Sequence, residues 1–219
     1  MPSKISYWTY FLLIIYAHSI PRAMAEEYGH FVGDPIGKLV KADLFELTQD
    51  FEYIDGKGIT WQVPAPFVTD GASVPRPFWS FIGSPLGGNY RYAAIVHDYF
   101  CRRQYPDWQL VHLNFYNGMR AKGVSKAKAR IMYQAVYWFG RSCRWRPKRL
   151  PPECEAGPYF NPTKCIVNNA GAAGEGLGPL HDLNKENLEK FIETIKAEGF
   201  QKEAEELVEQ PEIKSILVQ

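Results

Sequence analysis

The feature that most constrains this chain is a run of three helical patterns joined by almost no connecting sequence, between residues 89 and 142. The first spans about Asn89 to Gln104 and carries Ala93, Ala94, Val96, His97 and Phe100. Pro106 and Asp107 break the chain and restart it. The second runs from Asp107 to about Lys122, with Trp108, Val111, His112, Phe115 and Met119 on one face. Gly123 stops it. Ser125 supplies a cap for the third, which reaches about Phe139 before Gly140. Connections this short require neighbouring helices to pack as antiparallel hairpins. In such a hairpin, residues equidistant from the turn at Gln104 and Tyr105 lie at the same height. His97 and His112 are such a pair. Each lies on an apolar face, and the small Ala93 and Ala94 let the two helices approach.

Two imidazoles buried side by side cannot both be charged cheaply. They require a hydrogen-bond partner or a metal. Asp98 follows His97 and points about 100° away around the helix, so it faces a different neighbour. The loop segment Val68-Thr69-Asp70-Gly71-Ala72-Ser73 offers Asp70 as a third party. Asp70, Asp98, His97 and His112 together present two imidazoles and two carboxylates. Oxygen ligands suit calcium, and added imidazole suits zinc through His97 and His112. Equally, His97 and His112 are compatible with satisfied structural histidines, and Thr69 to Ser73 with a turn in which Asp70 caps backbone amides. Gly83 to Gly88 lacks the Gly-Lys-Ser/Thr ending of a phosphate loop.

The 219 residues split into a leader, a core and a tail. Residues 1–25 combine Lys4, an apolar run of about 14 residues from Tyr7 to Ile20, and the small-x-small sequence Ala23-Met24-Ala25, the pattern of a secretory signal peptide. The run is shorter than the roughly 20 residues that span a bilayer, and no other stretch is long and apolar enough to do so. Export to the periplasm or the medium follows, where four cysteines favour pairing. Cys154 and Cys165 are close in sequence and are expected to bridge. Cys101 and Cys143 pair if the end of the first helix meets the chain beyond the third. The core is expected over 26–149, with strands in 36–67, a loop over 68–88 and three helices in 89–142. Phe51 to Ile54 and Ile59 to Val63 flank Asp55-Gly56-Lys57-Gly58, a hairpin sequence. Residues 150–180 read as a loop. Residues 181–219 read as a tail of two acidic amphipathic helices, with Leu188, Phe191, Ile192 and Ile195 at helical spacing. The fold class is therefore α+β, mainly α, with a small N-terminal sheet.

Charge is close to balanced, 25 Lys and Arg against 24 Asp and Glu. Lys4 and Arg22 are the only charges of residues 1–25, so without that segment the balance is 23 to 24. A nucleic-acid partner is not expected, because such domains are strongly basic. The distribution is uneven. Residues 120–149 hold ten basic residues and no acid, and residues 175–219 hold eleven acids and five lysines. This reads as a tail folded back on a basic block, or as two solvated faces.

The stretch Val63-Pro-Ala-Pro-Phe-Val-Thr-Asp-Gly-Ala-Ser-Val-Pro75, followed by Ala93-Ala-Ile-Val-His-Asp-Tyr99, resembles a bacterial and phage family called domain of unknown function 1353, over about residues 30–145. The same stretch is more distantly similar to small secreted prokaryotic phospholipases A2. The matching residues are Thr69-Asp70, then Ala94 through His97-Asp98 to Arg102, then His112-x-x-Phe115-Tyr116 and Tyr133-Gln134-Ala135-Val136-x-x-Phe139-Gly140. That resemblance implies a phospholipase-A2-like helical hairpin in which His97 is the general base. It also implies that Asp98 binds calcium with help from the loop of Asp70. His112 stands where those enzymes have the Asp that orients the base. Ala72 and Ala94 stand at their disulfide positions, and Cys101 at a usual aromatic. The expected function is an exported metal-dependent hydrolase of a lipid, an ester or another cell-envelope substrate. The alternatives are a non-catalytic envelope or phage-associated binding protein that keeps the fold, and an effector acting on another cell's membrane or wall. Oligomeric state is open.

Overall fold

The computed structural model describes residues 27–41, 44–72, 74–84, 86–104, 108–140, 143 and 182–219. The expected leader, the loop over 150–180 and the pair Cys154 and Cys165 lie outside the described residues. The architecture is mixed α and β. Two small antiparallel sheets come first, and seven α-helices follow among the described residues.

One sheet joins β1 (His30–Val32), β4 (Phe51–Ile54) and β5 (Thr60–Val63) in the order β1-β4-β5. Its central hairpin pairs Phe51 with Val63 and Ile54 with Thr60. Phe51, Tyr53, Trp61 and Val63 are buried and alternate with half-covered residues, the period-two signature of a strand with one face inward. Asp55 closes the turn. Its carboxylate accepts from the amides of Lys57 at 2.9 Å and Ile59 at 3.0 Å, and from Trp61 Nε1 at 3.1 Å. This is the Asx chemistry expected of a tight turn.

The other sheet joins β2 (Gly37–Lys41), β3 (Leu44–Leu47) and β6 (Phe67–Thr69). The strands therefore exceed the expected span of 36–67 at both ends. β6 runs two residues into the expected loop because Phe45 to Leu47 present open hydrogen-bonding groups that Phe67 to Thr69 complete. The expected loop also contains a 3₁₀ turn (Arg76–Phe78) and a short helix α1 (Trp79–Ile82). Pro77 sits within the first turn of this pair, where its missing amide costs nothing.

The three helices fall where the periodicity places them: α2 (Arg91–Arg103), α3 (Trp108–Ala121) and α4 (Lys126–Phe139). The Ser125 hydroxyl accepts from the Lys128 amide and caps α4. α2 and α3 pack closely at Gly118, where an added Cβ would lie 3.0 Å from the Ala93 Cβ. A side chain there would require the Ala93 methyl and the tip of the Phe31 ring to give by a few tenths of an ångström. α2 is the centre of the molecule. Every residue from Tyr92 to Cys101 is buried. One side, with Ala93 and Ala94, faces α3, α4 and the C-terminal helices. The other, with Ile95, Val96 and Phe100, faces β4 and β5, where Trp61 meets Phe100 edge-on at 4.8 Å.

The tail forms three helices, not two: α5 (Lys185–Ala197), α6 (Gln201–Val208) and α7 (Pro211–Leu217). Pro211 begins the third, because its fixed φ suits a first helical turn. The tail packs into the core. Phe191 is fully buried against Phe78 at 5.3 Å and Phe139 at 5.6 Å. Above it, the Arg130 guanidinium grips Glu198 with contacts of 2.5 and 2.6 Å, and Gln134 adds a third bond to the same carboxylate. Among the described residues the acidic segment thus meets the basic block at a bidentate pair beside an apolar contact, and burial supplies most of the attachment. Phe191→Ala should cost about 3–5 kcal/mol of unfolding free energy. Urea denaturation of the two proteins measures this, and a loss below about 1 kcal/mol would remove the tail from the cooperative core.

Candidate functional site

The α2–α3 hairpin brings His97 and His112 together as the equal-height argument requires. His97 Nε2 lies 2.8 Å from His112 Nδ1, and the rings are nearly parallel. They are 1% and 0% exposed. Phe115 stands 4.8 Å from the His97 ring, and Trp108 meets the His112 ring edge-on at 5.3 Å. Burial among these rings, and then the neighbouring His112, hold the His97 imidazole well below its ordinary pKa. His97 is therefore neutral at physiological pH. One ring of a neutral pair donates its N–H to the other, which leaves His97 Nδ1 outside the mutual bond.

Cys101 lies one helical turn beyond His97. Its Sγ is 3.5 Å from His97 Nε2 and 3.6 Å from Nδ1. Cys101 forms a disulfide with Cys143, across 42 residues. The pairing of the first helix's end with the chain beyond the third is thus present. His97, Cys101 and Cys143 form a buried cluster whose nitrogen and sulfur atoms lie within 4.8 Å of one another. That is a set of soft donors of the kind zinc takes, with the two sulfurs here bonded to each other.

Asp98 faces the other way, toward β6. Its carboxylate is 2.9 Å from Arg102 Nη2, and Thr69 adds a side-chain hydrogen bond. The same Nη2 is 3.3 Å from Asp70, and Arg102 Nη1 donates to the Val68 carbonyl at 2.8 Å. Two carboxylates and a carbonyl therefore converge on one guanidinium, which also lies 5.3 Å over the Phe67 ring. The expected partners Asp70 and Asp98 are brought together, but around Arg102. The turn is held by Thr69, whose hydroxyl accepts from the Gly71 amide at 3.0 Å, while Asp70 points to Arg102. Gly71 has φ 105°, open to glycine and unfavourable for other residues. The oxygen donors match calcium in chemistry, but the Arg102 cation already pairs with both carboxylates and competes with an ion there.

Burial pushes the Asp98 carboxyl up to about 6, with Arg102 and Thr69 restraining the rise. The imidazole pair and the carboxylate pair lie on different sides of α2, so the four expected residues form two adjoining centres. Arg102 and Thr69 as charge and hydrogen-bond partners, and the sulfurs beside His97, were not anticipated. The available signal was spacing: His97 to Cys101 and Asp98 to Arg102 are both i,i+4 pairs, which share a helix face.

Residues 45–136 match the family described as "Protein of unknown function (DUF1353)". Two relatives from Sinorhizobium fredii (strain NBRC 101917 / NGR234) are similar to the chain. Uncharacterized protein y4jT is 42% identical over 151 residues, covering 67% of this chain and 45% of that protein. Uncharacterized protein y4iH is 40% identical over 125 residues, covering 57% of this chain and 48% of that protein. The chain spans about half the length of these relatives. No solved structure matches it. The matched stretch contains β3 through most of α4, and with it His97, His112, Asp98, Asp70 and Arg102. The likeness to phospholipases A2 rests on sequence motifs alone. No helix among the described residues is long and apolar enough to cross a membrane.

The folded chain holds the Asp98 proton up to about pH 6, whereas an unfolded aspartate loses it near pH 4. Between these values the folded state binds more protons, so this residue's contribution to stability falls as pH rises and levels off above about 6. Asp98→Asn removes that slope. The melting temperature of the variant, measured relative to the parent, should rise from pH 4 to pH 6 and then stay flat. A difference that falls over this interval would contradict the assignment.

Proposed function

We propose that this chain is an exported hydrolase acting on a lipid, ester or other cell-envelope substrate, with His97 as its general base. One observation carries the reading: the 2.8 Å bond between His97 Nε2 and His112 Nδ1, made from facing helices with Asp98 at the next position. With Nε2–H donated to His112, Nδ1 is the nitrogen that takes a proton from an attacking water. A neutral imidazole can accept it, and the low basicity that burial imposes keeps the ring unprotonated at working pH. His112 fixes the ring and its tautomer, the part a carboxylate plays in the phospholipases that the motif resembles.

Asp70 and Asp98 are the residues that would hold calcium, which when bound supplies positive charge for the developing ester oxyanion. Arg102 pairs with both carboxylates and places a cation one helical turn from Asp98.

A second reading has specific support. His97, His112 and Asp98 are almost wholly enclosed, and Asp98 and Asp70 are neutralised from within the chain. Such a cluster serves equally as an internal lock in a non-catalytic exported binding protein. Turnover separates the two. The purified chain would be assayed with phosphatidylglycerol vesicles, phosphatidylcholine vesicles and p-nitrophenyl esters, with and without calcium. The hydrolase reading expects turnover that His97→Ala lowers by about 10²–10⁴-fold. It also expects His112→Asp to retain more activity than His112→Leu. Turnover that is unchanged in His97→Ala, or absent on every substrate, supports the binding protein.

A further inference from the structure

We infer that the Cys101–Cys143 disulfide conceals a zinc site: on reduction, Cys101, Cys143 and His97 bind one zinc ion, with His112 orienting the imidazole. The three donors already converge inside the protein, within 4.8 Å of one another. In a tetrahedral zinc centre, bond lengths of about 2.3 Å to sulfur and 2.0–2.1 Å to nitrogen place a sulfur about 3.5 Å from an imidazole nitrogen. Cys101 Sγ stands 3.5 and 3.6 Å from the two nitrogens of His97. The geometry of the oxidised protein is thus close to what the metal requires, and the principal change is separation of the two sulfurs. Both cysteines and His97 are buried, so the donors are held away from competing water.

The second layer is in place as well. A zinc-bound histidine ordinarily engages its other ring nitrogen with a hydrogen-bonding partner, which fixes the tautomer and the ring plane. His97 Nε2 has this partner in His112 Nδ1 at 2.8 Å. Nδ1 is then the ligating atom. The protein supplies three ligands, and a single water admitted on reduction takes the fourth position, as in zinc centres with three protein ligands.

The chemistry balances with a dithiol reductant. It delivers two electrons and two protons, the Cys101–Cys143 bond breaks to two thiols, and the reductant closes to its own disulfide. Zinc binding then displaces both thiol protons. The same residues join the end of α2 to the chain beyond α4 in either state, through a sulfur–sulfur bond or through a metal. The inference does not rest on the hydrolase reading, because metal binding is measured without turnover. It also bears on that reading, since zinc on Nδ1 would block the nitrogen assigned to the base in the reduced, metal-bound form.

The test uses the full chain carrying Cys154→Ser and Cys165→Ser, so that Cys101 and Cys143 supply the only thiols. The protein is reduced with a phosphine, exposed to zinc, desalted and analysed for metal. The expected result is one zinc per reduced chain and none per oxidised chain. Cobalt in place of zinc should give thiolate-to-metal charge-transfer bands in the reduced form alone. Zinc should also protect both thiols from iodoacetamide, a readout that needs no site variant. His112→Phe should weaken binding by about 10–100-fold, and Cys143→Ser or His97→Ala should abolish one-to-one binding. Reduced protein that holds no zinc, thiols alkylated equally with and without zinc, or oxidised protein that binds as tightly would each overturn the inference.

Discussion

Helix α2 is enclosed on every side, and most of the remaining structure answers to that constraint. Its small residues let α3 and α4 close on one side, and its large residues meet β4 and β5 on the other. A helix so placed is normally apolar all round. This one carries His97 and Asp98 in its middle, both buried. An unpartnered imidazole or carboxylate at such depth would be strongly destabilising. The positions of His112, Arg102 and Thr69 meet this demand.

The two polar residues are accommodated by different physics. His97 stays neutral and shares a hydrogen bond with a second imidazole, which asks only for close approach of two helices. Asp98 is opposed by a cation on its own helix and by a hydroxyl from β6. Sheet and hairpin are therefore coupled through the charged centre. Arg102 reaches Val68 and Asp70 as well as Asp98, so a shift of the β6 loop alters the surroundings of the carboxylate directly. The disulfide sets the opposite flank of α2 against the chain beyond α4. The helix that bears the candidate chemistry is thus tied on both sides.

Much of this arrangement was legible before any coordinates. Ser125, Gly123 and the apolar spacing of residues 89–139 locate three helices, because caps and periodicity act locally. The His97–His112 contact follows from a short turn, which makes a long-range contact nearly a local one. β6 was hidden because a strand of three residues exists only through its neighbour β3. The third tail helix was hidden because Pro211 reads equally as a break or as a first turn. Arg102 was legible as part of a motif, but its role was not. A basic residue near a helix end ordinarily faces solvent, and only the returning loop brings Val68 and Asp70 to it.

Sequence alone determined the antiparallel helices, the equal height of the two histidines, the Asp55 turn and the apolar stripe of the first tail helix. Each depends on residues near one another in the chain, whose energies are local and whose spacing is therefore readable. Tertiary structure decided which groups share a face of the enclosed helix with which others. It set Arg102 between Asp70 and Asp98, brought Cys143 to the sulfur beside His97, and seated Phe191 against Phe78 and Phe139. Apart from Asp98 and Arg102, which are neighbours on one helix, those contacts join residues tens of positions apart. Burial and charge compensation select them only once the whole core has closed.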